Sequence, residues 1–85
     1  MEKEILTKIP EGERYVMNVV WENVEKYRKE KGMTVNHLCT RATYSPSNYN
    51  KRLEDKGNIV PGTIQRFAWA LGVKTLDLFE DWSEQ

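Results

Sequence analysis

The sequence predicts a compact all-α domain built from five helices. Apolar residues recur three and four positions apart in successive segments, which is the spacing of one helix face. Serine, threonine or proline precedes several of these segments and glycine ends two of them, as is typical of helix boundaries. No stretch alternates with the two-residue period of a strand. The 85 residues suffice for a single core.

The first two helices are predicted from their apolar faces and from their boundary residues. The first helix ends at Gly32, after cations that suit the negative end of a helix dipole. Its apolar face consists of Met17, Val20, Val24 and Tyr27. Thr34 stands where it caps the second helix, which is short. The apolar face of that helix consists of Val35, Leu38, Cys39 and Ala42.

The third helix is predicted to begin near Pro46. Serine caps well, and proline at the first helical position loses no needed hydrogen bond, so Ser45-Pro46 is a strong start signal. Only Tyr49 and Leu53, four residues apart, point clearly inward. The remaining residues of its first two turns are polar: Ser47, Asn48, Asn50, Lys51 and Arg52. Most of the surface of this helix therefore faces water or a charged partner.

The last two helices follow a loop at Lys56-Gly57-Asn58. Pro61 opens the fourth helix and Gly72 ends it. Its core stripe consists of Ile64, Phe67, Ala68 and Leu71. Thr75 is expected to cap a fifth helix, with Leu76, Phe79 and Trp82 facing inward or toward a partner. The predicted organisation is a flexible N-terminal arm over residues 1–12, one domain over residues 13–82 and a tail over residues 83–85.

The charges are unevenly distributed although the net charge is zero. Residues 24–74 carry ten basic and four acidic side chains, a net charge of +6. Residues 1–23 carry −2 and residues 75–85 carry −4. A basic centre between acidic ends favours a localised anionic partner, whereas an ordinary solvated surface explains the same charges without one.

The second and third helices, with a tight turn at Ala42-Thr43-Tyr44, form the arrangement that places one helix in the DNA major groove. With Tyr49 inward, the opposite face and its flanks carry the candidate base-reading residues Ser47, Asn48, Asn50 and Lys51. Asparagine pairs with adenine, lysine donates to guanine, and serine serves either role. A merely solvated helix face is an equally good explanation of helix three alone.

Several stretches resemble the Cro and lambda-repressor-like family of helix-turn-helix proteins, also called the XRE family. They are VEKYRKEKGMT at 24–34, Leu38-Cys39, YSPSNYNKRL at 44–53, ALGV at 70–73, Leu76 and Leu78-Phe79. The resemblance covers residues 20–80. It implies a five-helix lambda-repressor-like fold, no cofactor, and binding to a double-stranded DNA operator by a homodimer.

The resemblance also assigns individual residues. It points to Ser47, Asn48 and Lys51 for base reading, to which Asn50 is added from the helix face. For phosphate contacts it points to Thr34, Asn36, Lys56 and Asn58, to which Arg52 is added as a further candidate. It further implies a structural ion pair between Arg28 and Glu54.

Two residues depart from the pattern of that family in the helix pair. Val35 stands where a glutamine often bridges the DNA backbone and the third helix. Thr43 replaces the usual glycine of the turn, so it must either avoid positive φ or bear strain.

Other function classes find little support in the sequence. No apolar run approaches the roughly 20 residues of a membrane span, and the N-terminus lacks the apolar centre of a secretory signal. The single cysteine, Cys39, forms no internal disulfide or metal cage and fits a buried thiol in a cytoplasmic protein. His37, the only histidine, fits a polar surface residue. We expect no enzymatic activity, metal, small-molecule ligand or membrane association.

The predicted function is therefore sequence-specific DNA binding by a transcriptional regulator, most simply a repressor. The alternative is a repressor-like protein-interaction module, such as an antitoxin or antirepressor partner, that binds DNA weakly. The expected homodimer interface consists of Leu78, Phe79 and Trp82, and the alternative is that Phe79 and Trp82 only seal the bottom of the core. Trp69 lies off the core stripe of helix four, where it covers the arm, joins an interface or is half exposed.

Overall fold

The computed structural model describes residues 8–82, which form four α-helices and a terminal 3-10 helix. The α-helices are α1 (Val16–Glu30), α2 (Val35–Ala42), α3 (Pro46–Asp55) and α4 (Pro61–Leu71), and the 3-10 helix spans Thr75–Leu78. Residues 8–82 contain no strand. The predicted all-α class is confirmed, whereas the predicted count of five helices is wrong. The 83–85 tail and residues 1–7 of the predicted arm lie outside the described residues.

The core is centred on three aromatic rings that come from three different helices. Tyr49 of α3 meets Trp21 of α1 edge to face, with 5.3 Å between ring centroids. Phe67 of α4 lies 5.8 Å from Tyr49 and 6.3 Å from Trp21. All three side chains are fully buried. Aromatic rings at these separations add to the stabilisation that burial of their area supplies, so this cluster joins α1, α3 and α4.

The helix boundaries follow the capping residues that the sequence contains. The backbone N–H of His37 donates to Thr34 Oγ1 at 3.0 Å, and that of Asn48 donates to Ser45 Oγ at 3.3 Å. Both predicted N-caps are therefore confirmed. At the other end of α4, Gly72 adopts a φ of 72°, which glycine tolerates without steric cost.

The predicted fifth helix is a four-residue 3-10 turn, and the reason lies in α1. The buried Asn23 side chain donates from Nδ2 to the carbonyl oxygens of Leu78 and Glu80, at 2.9 and 2.8 Å. A continuing α-helix needs those carbonyls for its own later N–H groups. At the start, the N–H of Lys74 donates to Asp77 Oδ2, so Lys74 occupies the cap position predicted for Thr75.

Only Leu78 of the terminal 3-10 helix enters the core. Leu78 is fully buried, whereas Leu76 is 78% exposed. Of the two positions expected for Leu76, facing inward is therefore wrong, and facing a partner stays a prediction. A 3-10 turn places successive residues about 120° apart, so a four-residue segment presents only one or two side chains to the core.

The N-terminal segment that precedes α1 is held against the C-terminal one. Arg14 donates to Asp81 Oδ1 at 3.0 Å and also pairs with Glu22 of α1. Beside these groups lies an open cleft of about 310 Å³, with Val16, Val19 and Phe79 in its lining. None of the helices in residues 8–82 has the length and apolarity needed to cross a bilayer.

Candidate nucleic-acid interface

The candidate interface is built on α2, α3 and the turn between them. Thr43 ends α2 in the left-handed region, with φ 56° and ψ 56°. The N–H of Tyr44 donates to Cys39 O at 2.9 Å and that of Thr43 to Thr40 O at 3.4 Å, which is the Schellman pattern that glycine usually closes. Of the two outcomes expected for a threonine here, strain is therefore the one observed. The chain reverses tightly, and α3 begins at Pro46, three residues later.

The two sides of α3 have opposite character. Tyr49 is fully buried and Leu53 is half-buried, as predicted, whereas the rest of the helix is exposed. All four candidate base-reading residues are exposed on this one helix: Ser47, Asn48, Asn50 and Lys51. At about 100° per residue, Ser47 and Lys51 lie opposite Tyr49, and Asn48 and Asn50 lie on the flanks. A row of hydrogen-bonding side chains thus projects from the fold on a helix anchored from behind.

The candidate phosphate contacts differ in how strongly the fold already engages them. Asn36 and Arg52 are exposed. The hydroxyl oxygen of Thr34 accepts a hydrogen bond from the backbone N–H of His37 and so caps α2. Lys56 is half-buried, and its Nζ donates to Leu53 O at 3.0 Å. Asn58 accepts a hydrogen bond from the Tyr15 hydroxyl at 3.4 Å. The Asn58 Nδ2 group and the two remaining N–H donors of Lys56 can still donate to a phosphate while these internal hydrogen bonds persist.

The charge of α3 changes sign along its length. Lys51 and Arg52 are exposed cations in its middle, and Glu54 and Asp55 are exposed carboxylates in its last turn. The first turn lies at the positive end of the helix dipole, although Pro46 has no N–H and the N–H of Asn48 already donates to Ser45 Oγ. An anion is therefore favoured at the start and middle of α3 and disfavoured at its end.

Arg28 pairs with Glu25 and not with Glu54, so the predicted ion pair is wrong. Its Nε and Nη2 donate to the two carboxylate oxygens of Glu25 at 2.9 and 2.8 Å. Its Nη1 donates to Met33 O at 2.7 Å. Glu54 lies about 140° around α3 from Tyr49 and therefore points away from α1. Within residues 8–82, Glu54 forms no ion pair.

Glu25 also binds the anchoring residue of α3. Its Oε2 accepts a hydrogen bond from the Tyr49 hydroxyl at 2.6 Å. The hydrogen bonds from Arg28, opposed by partial burial and aided by Tyr49, lower the pKa of Glu25 below its ordinary value. Burial, followed by the Glu25 hydrogen bond, raises the pKa of Tyr49. Sequence reasoning missed this link, although the three-residue spacing of Glu25 and Arg28 on one helix is a readable signal.

Three further side chains hold the backbone around the interface. Trp21 Nε1 donates to Gly57 O at 2.9 Å and fixes the loop after α3. Arg66 Nε of α4 donates to Ala42 O at 2.9 Å, and Arg41 Nε of α2 donates to Ala70 O at 3.2 Å. These arginines belong to the basic centre of the sequence, but their guanidinium groups cap helix carbonyls. Two of the cations that make up this +6 charge therefore stabilise the fold by donating to backbone carbonyl groups.

The residues expected at a dimer interface are only partly available. Leu78 is fully buried within the single chain, so its assignment to an interface between chains is wrong. Phe79 and Trp82 are 36% and 37% exposed. Lys26 Nζ lies 4.8 Å from the centroid of the Trp82 ring, and Trp82 Nε1 donates to Asp77 O at 3.3 Å.

The remaining residues singled out in the sequence also have clear positions. His37 is exposed and Cys39 is fully buried, as predicted. Burial raises the pKa of the Cys39 thiol, which disfavours the reactive thiolate. Trp69 is 65% exposed, with the Arg41 guanidinium 4.9 Å from its ring centroid. Among residues 8–82, no group of histidine, cysteine, aspartate and glutamate side chains is arranged to hold a metal ion.

Comparison of the chain with protein-family models, with characterised proteins and with solved structures finds no match. The resemblance to the Cro and lambda-repressor-like family therefore stays a prediction from the motifs quoted above. A functional proposal depends on the geometry of α2 and α3.

Proposed function

We propose that this chain is a sequence-specific DNA-binding protein that regulates transcription in the cytoplasm without catalysing a reaction. In this proposal α2 and α3 form a helix-turn-helix and α3 enters the major groove. The observation that carries the proposal is the two-sided character of α3: a single fully buried anchor, Tyr49, behind an exposed row of amide, hydroxyl and ammonium groups. Such groups match the donor and acceptor pattern of base edges.

The dimensions of α3 fit this role. Its 10 residues span about 15 Å at the usual rise per residue, and a major groove about 12 Å wide admits one helix. Because Glu54 and Asp55 occupy the last turn, we propose that the first two turns lie deepest in the groove. Ser47, Asn48, Asn50 and Lys51 then face base edges. The proposed phosphate contacts are Thr34, Asn36, Arg52, Lys56 and Asn58.

In vitro selection of bound duplexes from a random pool tests the proposal. The affinity for a selected site and for random duplex is then measured over a range of salt concentrations. We expect log affinity to fall linearly with log salt, with a slope that corresponds to about 4 to 8 phosphates for a dimer. Tight binding that persists at high salt, or a pool that yields no preferred sequence, contradicts the proposal.

A protein-interaction module is the second candidate, favoured by the exposure of Trp69 beside Arg41. An indole ring that is 65% exposed and stacked with a guanidinium resembles the aromatic and arginine residues that dominate protein interfaces. This candidate predicts DNA binding that is weak and shows no sequence preference. The selection experiment therefore separates the two candidates.

We propose a homodimer that uses the exposed parts of Phe79 and Trp82. Sedimentation equilibrium of the wild type and of Trp82→Ala tests this. We expect a concentration-dependent dimer that Trp82→Ala weakens, because the substitution removes apolar area from a small interface. A wild type that stays monomeric at high concentration contradicts the proposal.

A further inference from the structure

One carboxylate connects the starts of the two helices that form the candidate interface. Glu25 lies on α1, behind both of them. It accepts hydrogen bonds from Arg28 Nε and Nη2 at 2.9 and 2.8 Å, and from the Tyr49 hydroxyl at 2.6 Å. Arg28 in turn donates to Met33 O at 2.7 Å, immediately before the α2 cap Thr34. We call Glu25, Arg28 and Tyr49 the α1 bridge.

The α1 bridge contains the hydrogen bond through which α3 contacts the rest of the fold, from the Tyr49 hydroxyl to Glu25. Within residues 8–82, the Tyr49 hydroxyl makes the only side-chain hydrogen bond or ion pair that joins α3 (Pro46–Asp55) to another element. The other anchoring contacts of α3 are apolar and aromatic. The aromatic packing of Tyr49 holds α3 against the core, and its hydrogen bond to Glu25 adds a contact that is sensitive to both distance and angle.

Hydrogen bonds to base edges require α3 to be positioned more precisely than the burial of its apolar side alone ensures. A hydrogen bond to a base edge weakens steeply when the donor and acceptor leave a narrow range of distance and angle. A helix that presents several such groups must therefore be held within a fraction of an ångström. Contacts to phosphates tolerate looser placement, because Coulomb attraction falls slowly with distance.

We propose that the α1 bridge positions α3 relative to the start of α2 and thereby sets the sequence specificity of the DNA-binding face. Tyr49, Glu25 and Arg28 act as positioning residues that never touch DNA. The proposal depends on the proposed function above. In this proposal, part of the sequence specificity of DNA binding depends on the buried side of α3, which does not contact the bases.

The test compares Tyr49→Phe with Tyr44→Phe. Tyr49→Phe keeps the ring that packs between Trp21 and Phe67 but removes the hydroxyl that binds Glu25. Tyr44 is the matched control, because its ring lies 5.2 Å from Phe67 and its hydroxyl makes no hydrogen bond within residues 8–82. Affinities for a selected duplex and for random duplex are measured for each variant, and circular dichroism establishes that each one folds.

We expect Tyr49→Phe to lower the ratio of selected to random affinity about tenfold, with an unchanged salt slope, because lost base contacts weaken only specific binding. Tyr44→Phe should leave the ratio unchanged. Arg28→Lys should lower the ratio as well, because a lysine cannot bind both Glu25 oxygens and Met33 O together. It provides the same test if Tyr49→Phe does not fold.

The outcomes separate this inference from the proposed function. If the wild type shows no preference for any duplex, the proposed function itself is wrong. If the wild type discriminates and folded Tyr49→Phe or Arg28→Lys discriminates equally well, the positioning role is wrong. A proportional fall in both affinities also overturns it, because destabilisation alone reduces the binding-competent fraction for every duplex alike.

Discussion

The two faces of α3 are held in different ways. The inner face has one large anchor, Tyr49, which touches two aromatic rings and donates to a carboxylate. The outer face has polar side chains that are exposed and form no ion pair within residues 8–82. A side chain that is packed or hydrogen-bonded within the fold contributes to stability. An exposed side chain without such contacts is available to bind a partner. Substitutions on the two faces should therefore separate stability from binding.

The largest effect is expected from Tyr49→Ala, which breaks the inner face. The change leaves a cavity between Trp21 and Phe67 and removes the donor to Glu25. We expect it to cost about 3–5 kcal/mol, a large part of the stability of a domain of this size. Urea unfolding measures the loss. The control is Asn50→Ala, an exposed neighbour, which should change the free energy of unfolding by less than about 0.5 kcal/mol.

The second effect concerns binding and is expected on the outer face. Asn48→Ala and Lys51→Ala should each cost about 1–3 kcal/mol on a selected duplex and much less on random duplex. Both variants should unfold with the wild-type urea midpoint, since neither side chain is packed.

Lys56→Ala supplies the contrast for these two variants. It should weaken binding to all duplexes about equally and lower the salt slope by roughly one unit, as a lost phosphate contact does. If Asn48→Ala and Lys51→Ala leave the preference for a selected duplex unchanged, α3 is not the helix that reads bases.

Sequence patterns predicted the elements whose signals are local. The caps Thr34 and Ser45, the start of α3 at Pro46 and the end of α4 at Gly72 all depend on neighbours within one turn. For the same reason, the burial of Tyr49 followed from helical spacing.

Contacts between distant segments were the ones that local patterns did not predict. The fifth helix ends early because Asn23, more than 50 residues away, binds the carbonyls of Leu78 and Glu80. The predicted pair of Arg28 with Glu54 failed because it needed α3 in a particular rotation, whereas the observed partner Glu25 lies three residues away on α1 and could have been read from the sequence. The turn at Thr43 is a related case, because its φ of 56° opposes the preference of threonine and the sequence left open whether this residue would avoid positive φ.

The third effect is a pH dependence of stability that arises on the inner face. Glu25 has a pKa lowered in the folded state, chiefly by its hydrogen bonds from Arg28. Its ionised form therefore contributes stability above the ordinary carboxyl pKa, and the contribution is lost as pH falls through the folded value. Urea midpoints for the wild type should fall between pH 7 and pH 3. Glu25→Gln should be less stable than the wild type at pH 7, and the difference should shrink at pH 3. A difference that is constant with pH contradicts this assignment.

The smallest effect is expected at the turn that connects the two helices. Thr43 adopts a φ of 56°, its side chain is exposed, and within residues 8–82 it makes no side-chain hydrogen bond. The left-handed conformation costs an ordinary residue about 1–2 kcal/mol, and glycine avoids this cost. Glycine, however, loses about 0.5–1 kcal/mol more chain entropy on folding. Thr43→Gly should therefore stabilise the domain by about 0.5–1 kcal/mol, seen as a higher urea midpoint at an unchanged m value. Thr43→Ala keeps a Cβ without the branch and should recover less of the strain. A lower midpoint for Thr43→Gly means that the hydroxyl or methyl group of Thr43 stabilises the turn by more than the strain costs. Thr43 would then contribute to stability, as Tyr49 does on the inner face of α3.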